Sequence, residues 1–460
     1  MSGDTETLDL PGDRARRSLT PLDAGLVLLA AEGAEPPPIV RLSGGPLFIG
    51  RDPPAGGLRI AQGAVSKLHA QLLPTHDGVR VRDLDSRNGV VVSGRRVADV
   101  TLEHRDVVHI GNVLYLFVAE GLHLFERPPP HPAGFEATVA GPTLRATMAD
   151  LAVVAPTDLA VLLLGETGSG KEVFARAVHA ASGRRGRFVA LNCAALPAAL
   201  LEAELFGVRR GAFTGADRDR DGLFRAADRG TLFLDEIGEM PLEAQAKVLR
   251  CLATKEVLAL GATEPVRSDA RIVCATHRDL AQLCRDGRFR PDLLGRIRQH
   301  TTELPALRDR KEDVLPLLRA FLSREGRADL CPDFRATVLL VSYDWPFNVR
   351  ELEAVARRAA ALVKGSTLRE SDLPPEIRAA AAGYGSKEAP APVAASVTTA
   401  VAGGDAPGRG VTPTADELRE MLVRHRGNVA ALARHYAKDR AQLHRWFRRY
   451  QLVPEDFRDA

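Results

Sequence analysis

The sequence predicts a multidomain chain in three parts: an all-β sandwich, an α/β domain built on a parallel sheet, and a small α-helical tail. Three observations carry this. Short β-type segments recur between turn signals at 25–30, 39–42, 47–50, 70–74, 79–83, 89–92, 107–110 and 113–118. From residue 139 apolar strand-like runs alternate with helical stretches. From Pro413 apolar residues return at helical spacing. The 460 residues leave room for these parts. A net charge of +3 is too small to indicate a partner, so any nucleic-acid surface must be local. Cys193, Cys251, Cys274, Cys284 and Cys331 are scattered, which fits reduced thiols and neither a disulfide framework nor a metal cluster. Residues 1–19 contain no signal-peptide core, and the apolar runs 26–31 and 159–164 are too short to span a bilayer. A cytoplasmic protein without membrane contact is expected.

In the front part, residues 20–125, three polar clusters fall at strand ends. They are Gly50-Arg51, then Ser66-Lys67-Leu68-His69, then Asp85-Ser86-Arg87-Asn88-Gly89. Singly these read as a surface arginine, a serine-led turn and an Asn-Gly hairpin. In this order and spacing they resemble the forkhead-associated (FHA) domain, which binds phosphothreonine peptides. The resemblance implies that Arg51, Ser66 and Lys67 grip the phosphate, that Asn88 bonds the peptide backbone and that His69 braces the loops. The chemistry fits, because a dianionic phosphate suits a fixed guanidinium, a second cation and a hydroxyl donor. Lys67 stands where arginine commonly follows the serine, and Val90 where threonine is frequent. A phosphothreonine-bearing protein or its kinase is the implied partner. Residues 126–138, with Pro128, Pro129, Pro130 and Pro132, read as a linker.

Residues 139–378 are organised around Gly165, Glu166, Thr167, Gly168, Ser169, Gly170, Lys171 and Glu172. An apolar run at 161–164 ends at a glycine-rich turn, and a helix follows. This is the G-x-x-x-x-G-K phosphate loop in the strand-then-helix context it requires, so ATP is the expected ligand. Lys171 would bring a full charge to the β- and γ-phosphates, whereas Glu172 stands where Ser or Thr normally helps hold Mg²⁺. Three further apolar strands end in Asn192, in Asp235-Glu236 and in Thr276. Ligands of parallel sheets sit at such carboxyl ends. Two adjacent carboxylates closing an apolar strand are costly without a cation. Asp235 is expected to hold Mg²⁺ through water while Glu236 polarises the attacking water. Thr276 can sense the γ-phosphate, and Asn192 can pair with Glu236 to hold it off that water.

Gly211, Ala212, Phe213, Thr214, Gly215 and Ala216 set one large aromatic among small residues, as if presenting it to a partner. With Glu204-Leu205-Phe206-Gly207 just before, this stretch closely resembles the loop of the AAA+ activators of sigma-54 RNA polymerase. The resemblance spans about residues 141–377. It implies a P-loop NTPase with a helical lid, whose loop touches sigma-54 and couples ATP hydrolysis to remodelling of the closed promoter complex. It further implies that Arg290 and Arg296 supply arginine fingers to a neighbouring subunit, hence a ring of six, and that Arg350 in Trp345-Pro-Phe-Asn-Val-Arg350 contacts the γ-phosphate. His277 and Phe347 depart from that family's usual Asn and Gly.

Residues 379–412 read as a flexible linker. Beyond them, residues 413–455 offer three short helices. The third carries Arg440, Gln442, His444 and Arg445, residue types that bond phosphates and base edges in a major groove. Gly427-Asn428 followed by an alanine-rich helix and a basic helix resembles the Fis-type helix-turn-helix that closes many sigma-54 activators. Such domains usually dimerise on paired half-sites, here enhancer DNA. Two rivals stay open at this point: an AAA+ remodeller unrelated to transcription, and a DNA-binding adaptor whose motor binds nucleotide without turnover.

Overall fold

The computed structural model describes residues 23–386, except 43, 76–77, 213–217 and 381, together with 415–424 and the single positions 432, 447, 450 and 452. Contacts divide the chain into Met1–Pro392 and Val393–Ala460, and each unit is described by itself.

The first unit opens with two β-sheets. One runs, edge to edge, Ile39–Arg41, Gly25–Ala31, Val113–Val118, Val107–Ile110, Val90–Val92 and Arg95–Val97. The other runs Leu58–Arg59, Leu47–Gly50, Ala70–Thr75, Gly78–Asp83 and Asp99–Leu102. The strands predicted at 25–30, 47–50, 79–83, 107–110 and 113–118 are present to within a residue or so, whereas Leu58–Arg59, Arg95–Val97 and Asp99–Leu102, each of two to four residues, were not expected. The inner faces share one core that includes Leu26, Ile49, Leu72, Val81, Val108, Ile110, Tyr115 and Phe117.

The segment expected to be a bare linker is anchored. Phe135 is fully buried and meets Phe174 edge-on at 6.1 Å, seating the chain on the helix behind the phosphate loop. Behind it lies a five-stranded sheet in the order Phe188–Asn192, Thr231–Asp235, Arg271–Thr276, Val161–Leu164, His300–Glu303, all neighbours parallel. All but the edge strand His300–Glu303 are largely apolar, as suits a sheet packed against helices such as Pro142–Val154, Lys171–Ala181 and Leu242–Thr254. A helical layer follows in Val314–Arg324, Phe334–Ser342 and Asn348–Leu362, closed over Leu318, Leu340, Trp345, Leu352 and Ala356.

The sandwich rests on that helical layer. Val107, Leu114, Leu116 and Leu122 share a buried cluster with Val338 and Val341 of helix Phe334–Ser342. Beside it Arg105 donates to Glu312 at 2.7 Å, with side chains 14% and 7% exposed, and Thr143 Oγ1 donates to the other Glu312 oxygen at 2.8 Å. The start of the stretch expected to be flexible joins the same seam. Helix Pro375–Ala380 runs into Tyr384, whose hydroxyl lies 3.0 Å from His109 Nδ1, and Arg96 N–H donates to Ser386 O.

In the second unit the helix Ala415–Arg424 buries Leu418, Met421 and Leu422 against Leu432, Phe447 and Leu452. Arg440, Gln442, His444 and Arg445 lie outside the described residues, as do Phe213, Thr214, Gly215 and Ala216. Among the described residues no helix is long and apolar enough to cross a membrane.

Candidate active site and candidate phosphopeptide site

The strand Val161–Leu164 delivers the chain to the phosphate loop at the carboxyl edge of the parallel sheet. Gly168 and Gly170 adopt φ of 78° and 107°, which side-chain-bearing residues rarely reach, and so the backbone curls before helix Lys171–Ala181. A Cβ on Gly168 would fall 2.2 Å from the Phe347 carbonyl oxygen. The loop and the Trp345–Arg350 segment are therefore in backbone contact, closed by Val349 N–H donating to Gly168 O at 3.0 Å. Lys171 is buried at 7% exposure, and its Nζ donates to Gly165 O and Glu166 O at 2.9 and 3.1 Å. Ser169 Oγ is buried without a hydrogen-bond partner. A curled backbone, a buried ammonium and an orphan hydroxyl at a helix start suit a polyphosphate. Glu172 points away, pairing with Arg176 at 2.7 Å on the exposed helix face.

Next to this loop the strand ends converge. Asn192 and Asp235 are register partners in neighbouring strands, and so are Leu164 and Thr276. Asp235 accepts from the Glu236 N–H at 3.0 Å. Burial, and after it the adjacent Glu236 carboxylate, push the Asp235 carboxyl above its ordinary value. That cost is what a bound dication offsets. Among the described residues no three His, Cys, Asp or Glu side chains gather as a metal cage. A single carboxylate next to a phosphate loop suits Mg²⁺, which keeps waters and phosphate oxygens as its other ligands. Glu236 Oε1 lies 3.8 Å from Lys171 Nζ. Thr276 is fully buried, its Oγ1 accepting from Arg278 N–H at 3.0 Å.

One pairing differs from expectation. The Asn192 amide donates to Asp235 Oδ2 at 3.3 Å instead of to Glu236. Glu236 Oε2 is held by His277 Nδ1 at 2.8 Å. The register explains the change, since Asn192 sits directly opposite Asp235, one residue short of Glu236.

A clamp of residues missed from sequence closes the loop from the helical side. Arg308 makes a forked pair with Glu166, and Asn348 Nδ2 donates to Glu166 Oε2 and to Thr167 O, each at 3.1 Å. The Asn348 Oδ1 accepts from Leu307 N–H at 2.7 Å. Arg308, and next to it Asn348, hold the Glu166 carboxyl below its ordinary value. Arg310, almost fully buried, donates to Ser169 O at 2.8 Å and lies 3.7 Å from Asp313, whose carboxyl burial pushes up to about 7. The signal available in the sequence was two arginines, Arg308 and Arg310, just past the last strand of the parallel sheet and the asparagine Asn348 ahead of a helical stretch. Arg350 is exposed, with its Cβ 3.2 Å from the position a Gly168 Cβ would take. Arg290 stands at the start of helix Pro291–Ile297 and pairs with Asp292 at 2.7 Å, and Arg296 is exposed on that helix.

At the far end of the sandwich the three polar clusters meet. Arg51 N–H donates to Ser66 O at 2.8 Å and Asp52 N–H to Lys67 O at 3.1 Å, tying the first loop to the second. His69 is fully buried, and its Nδ1 accepts from Ser66 N–H at 3.1 Å. Its Nε2 therefore carries the proton, donated to Gly89 O at 3.1 Å. Burial pulls its pKa down, which keeps the ring neutral. Ser66 Oγ accepts from Arg87 N–H at 3.1 Å and keeps its own proton to donate. Asn88 Nδ2 donates to Ala64 O at 2.7 Å. Arg51, Lys67 and Asn88 are exposed on one set of loops.

Residues 138–303 match the sigma-54 interaction domain family, residues 308–390 the AAA+ ATPase lid domain and residues 47–111 the FHA domain. Among curated proteins, the transcriptional regulatory protein ZraR of Klebsiella oxytoca is 48% identical over 238 residues, 51% of this chain and 54% of that protein. The regulatory protein AtoC of Escherichia coli is 47% identical over 234 residues, covering 50% and 51%. The chain thus spans about half the length of the curated relatives it matches. Among solved structures, NtrX of Brucella abortus in complex with ADP aligns over 69% of this chain and 70% of that one, with 26% identity and a TM-score of 0.50. Residues 138–303 thus carry a sigma-54 interaction domain, with an AAA+ lid domain behind it and an FHA domain in front.

Proposed function

We propose that the chain is an ATP-driven activator of transcription by sigma-54 RNA polymerase holoenzyme, regulated by phosphothreonine recognition at its front domain. The observation that carries this reading is the convergence of Lys171, Asp235, Glu236 and Thr276 on one edge of the parallel sheet, inside a stretch that matches the sigma-54 interaction domain family. The phosphate loop from Gly165 to Lys171 holds the triphosphate of ATP through backbone N–H groups and the Lys171 ammonium. Asp235 would hold Mg²⁺ through water, where the ion would supply positive charge to offset that of the triphosphate. Glu236 orients and deprotonates the attacking water, and Thr276 reports on the γ-phosphate from the neighbouring strand.

The tilt of Trp345–Arg350 against Gly168 gives the lid a direct line to the nucleotide, with Arg350 the cation that reaches it. Arg290 and Arg296 serve a neighbouring subunit's nucleotide, which makes the working form a closed ring, taken as a hexamer. The stretch Gly211, Ala212, Phe213, Thr214, Gly215 and Ala216 delivers the resulting motion to sigma-54. Arg440, Gln442, His444 and Arg445 anchor the assembly on enhancer DNA as paired copies. Arg51, Ser66 and Lys67 bind phosphothreonine, with Asn88 on the peptide backbone and His69 as brace. The work lies in the cytoplasm, where polymerase and kinase are found.

The direct test is turnover of ATP by the full chain with Mg²⁺. Glu236→Gln is expected to abolish phosphate release while nucleotide still binds. Turnover undiminished in that variant would remove Glu236 from the chemistry.

A further inference from the structure

We infer that His277, rather than Asn192, restrains Glu236, and that hydrolysis waits on the imidazole letting go. This rests on the ATPase reading above. Glu236 takes up a left-handed backbone, φ 50° and ψ 49°, that turns its carboxylate back toward the strand ends. Its side chain is only 14% exposed, and both oxygens are engaged. Oε2 accepts from His277 Nδ1 at 2.8 Å, with the His277 backbone N–H 3.4 Å away, and Oε1 faces Lys171 Nζ at 3.8 Å. Asn192 is turned elsewhere, its Nδ2 donating to Asp235 Oδ2 at 3.3 Å and its Oδ1 accepting from Ala194 N–H at 2.9 Å.

A carboxylate that accepts a hydrogen bond at short range is pinned and less basic at that oxygen. With Oε2 bonded to the imidazole and Oε1 facing an ammonium, the Glu236 carboxylate is turned toward His277 and Lys171 rather than toward a water. The His277 side chain is 44% exposed, so it can swing outward without disturbing the core. It follows Thr276, the buried last residue of its strand, and so any shift at Thr276 reaches the ring through one peptide bond. His277 is thus a positioning residue acting through Glu236.

The geometry also selects the control. Asparagine carries its amide nitrogen on Cγ, as histidine carries Nδ1, and so His277→Asn keeps a donor at the same reach, whereas His277→Ala removes it. The experiment measures kcat and KM for ATP with the full-length chain and Mg²⁺, after thermal melting has shown all variants folded. His277→Ala is expected to raise kcat roughly fivefold to tenfold with KM within about twofold of wild type, as befits loss of one charge-assisted hydrogen bond from the ground state. His277→Asn is expected to return kcat to within about twofold of wild type. A kcat that is unchanged or lower in His277→Ala, or equal in the two variants, overturns the restraint while leaving the ATPase reading intact. A wild-type chain without turnover removes both.

Discussion

On the proposed reading the chain builds two phosphate-binding ends, and by opposite means. At the nucleotide loop the key cation is buried: Lys171 is 7% exposed and held by two loop carbonyls, while Arg308, Arg310 and Asn348 lock the loop from behind. At the FHA loops the cations Arg51 and Lys67 stand in solvent, and rigidity comes from beneath, through neutral His69 and the backbone bonds joining the loops. The difference follows from the work each end does. Chemistry on a phosphoanhydride gains from donors fixed and shielded from water, whereas reversible capture of a peptide needs cations that a partner can reach. Burial of the cation, more than its identity, separates the catalytic end from the reading end.

That contrast ranks the expected effects. Lys171→Ala takes a cation from a pre-organised, poorly hydrated position, and is expected to lower kcat/KM for ATP by roughly a hundredfold to a thousandfold. A drop under about tenfold would mean the loop is no better organised than a surface patch. Arg51→Ala removes a solvated cation, and is expected to weaken a phosphothreonine peptide by roughly thirtyfold to a hundredfold in a titration, with ATP turnover unaltered in the absence of peptide. Lys67→Ala, losing a flexible point charge rather than a fork, is expected to cost less than Arg51→Ala; the reverse order would assign the phosphate to the lysine.

The smallest effect concerns pH. Arg308 holds the Glu166 carboxyl below its ordinary value of 4.5. A lowered carboxyl contributes stability that is present above 4.5 and lost as pH falls through the depressed folded value. Both side chains are more than a third exposed, and screening keeps the contribution to about 0.5 kcal/mol. The melting-temperature gap between wild type and Arg308→Gln is therefore expected to narrow below pH 4.5. A gap that widens on acidification would contradict the pairing.

The two ends were also unequally legible. Gly165, Gly168, Gly170 and Lys171 declare a phosphate loop because only glycine tolerates the curl, and the strands ending in Asn192, Asp235 and Thr276 announce themselves by apolar runs with a polar last residue. What sequence could not carry was pairing across elements. The His277–Glu236 bond depends on a one-residue offset between neighbouring strands, and the Arg308–Glu166–Asn348 clamp joins residues 142 and 182 positions apart. Strands Leu58–Arg59 and Arg95–Val97 each give the core a single apolar residue, Leu58 and Val97, too few for an alternation to read. Phe135 hid in a proline-rich stretch whose composition says nothing about one buried ring. The seam of Arg105, Glu312 and Tyr384 was invisible for the same reason, its members lying far apart in a chain that looked like beads on linkers.

On the proposed function, ATP hydrolysis at Lys171, Asp235 and Glu236 is delivered to sigma-54 polymerase. That delivery is tested most directly by permanganate footprinting of a sigma-54 promoter in the closed complex. Wild-type chain with ATP and Mg²⁺ is expected to expose unpaired thymines at the start site, and Glu236→Gln with ATP to leave them paired. Promoter opening by Glu236→Gln equal to wild type, or none by a wild-type chain that hydrolyses ATP, would contradict it.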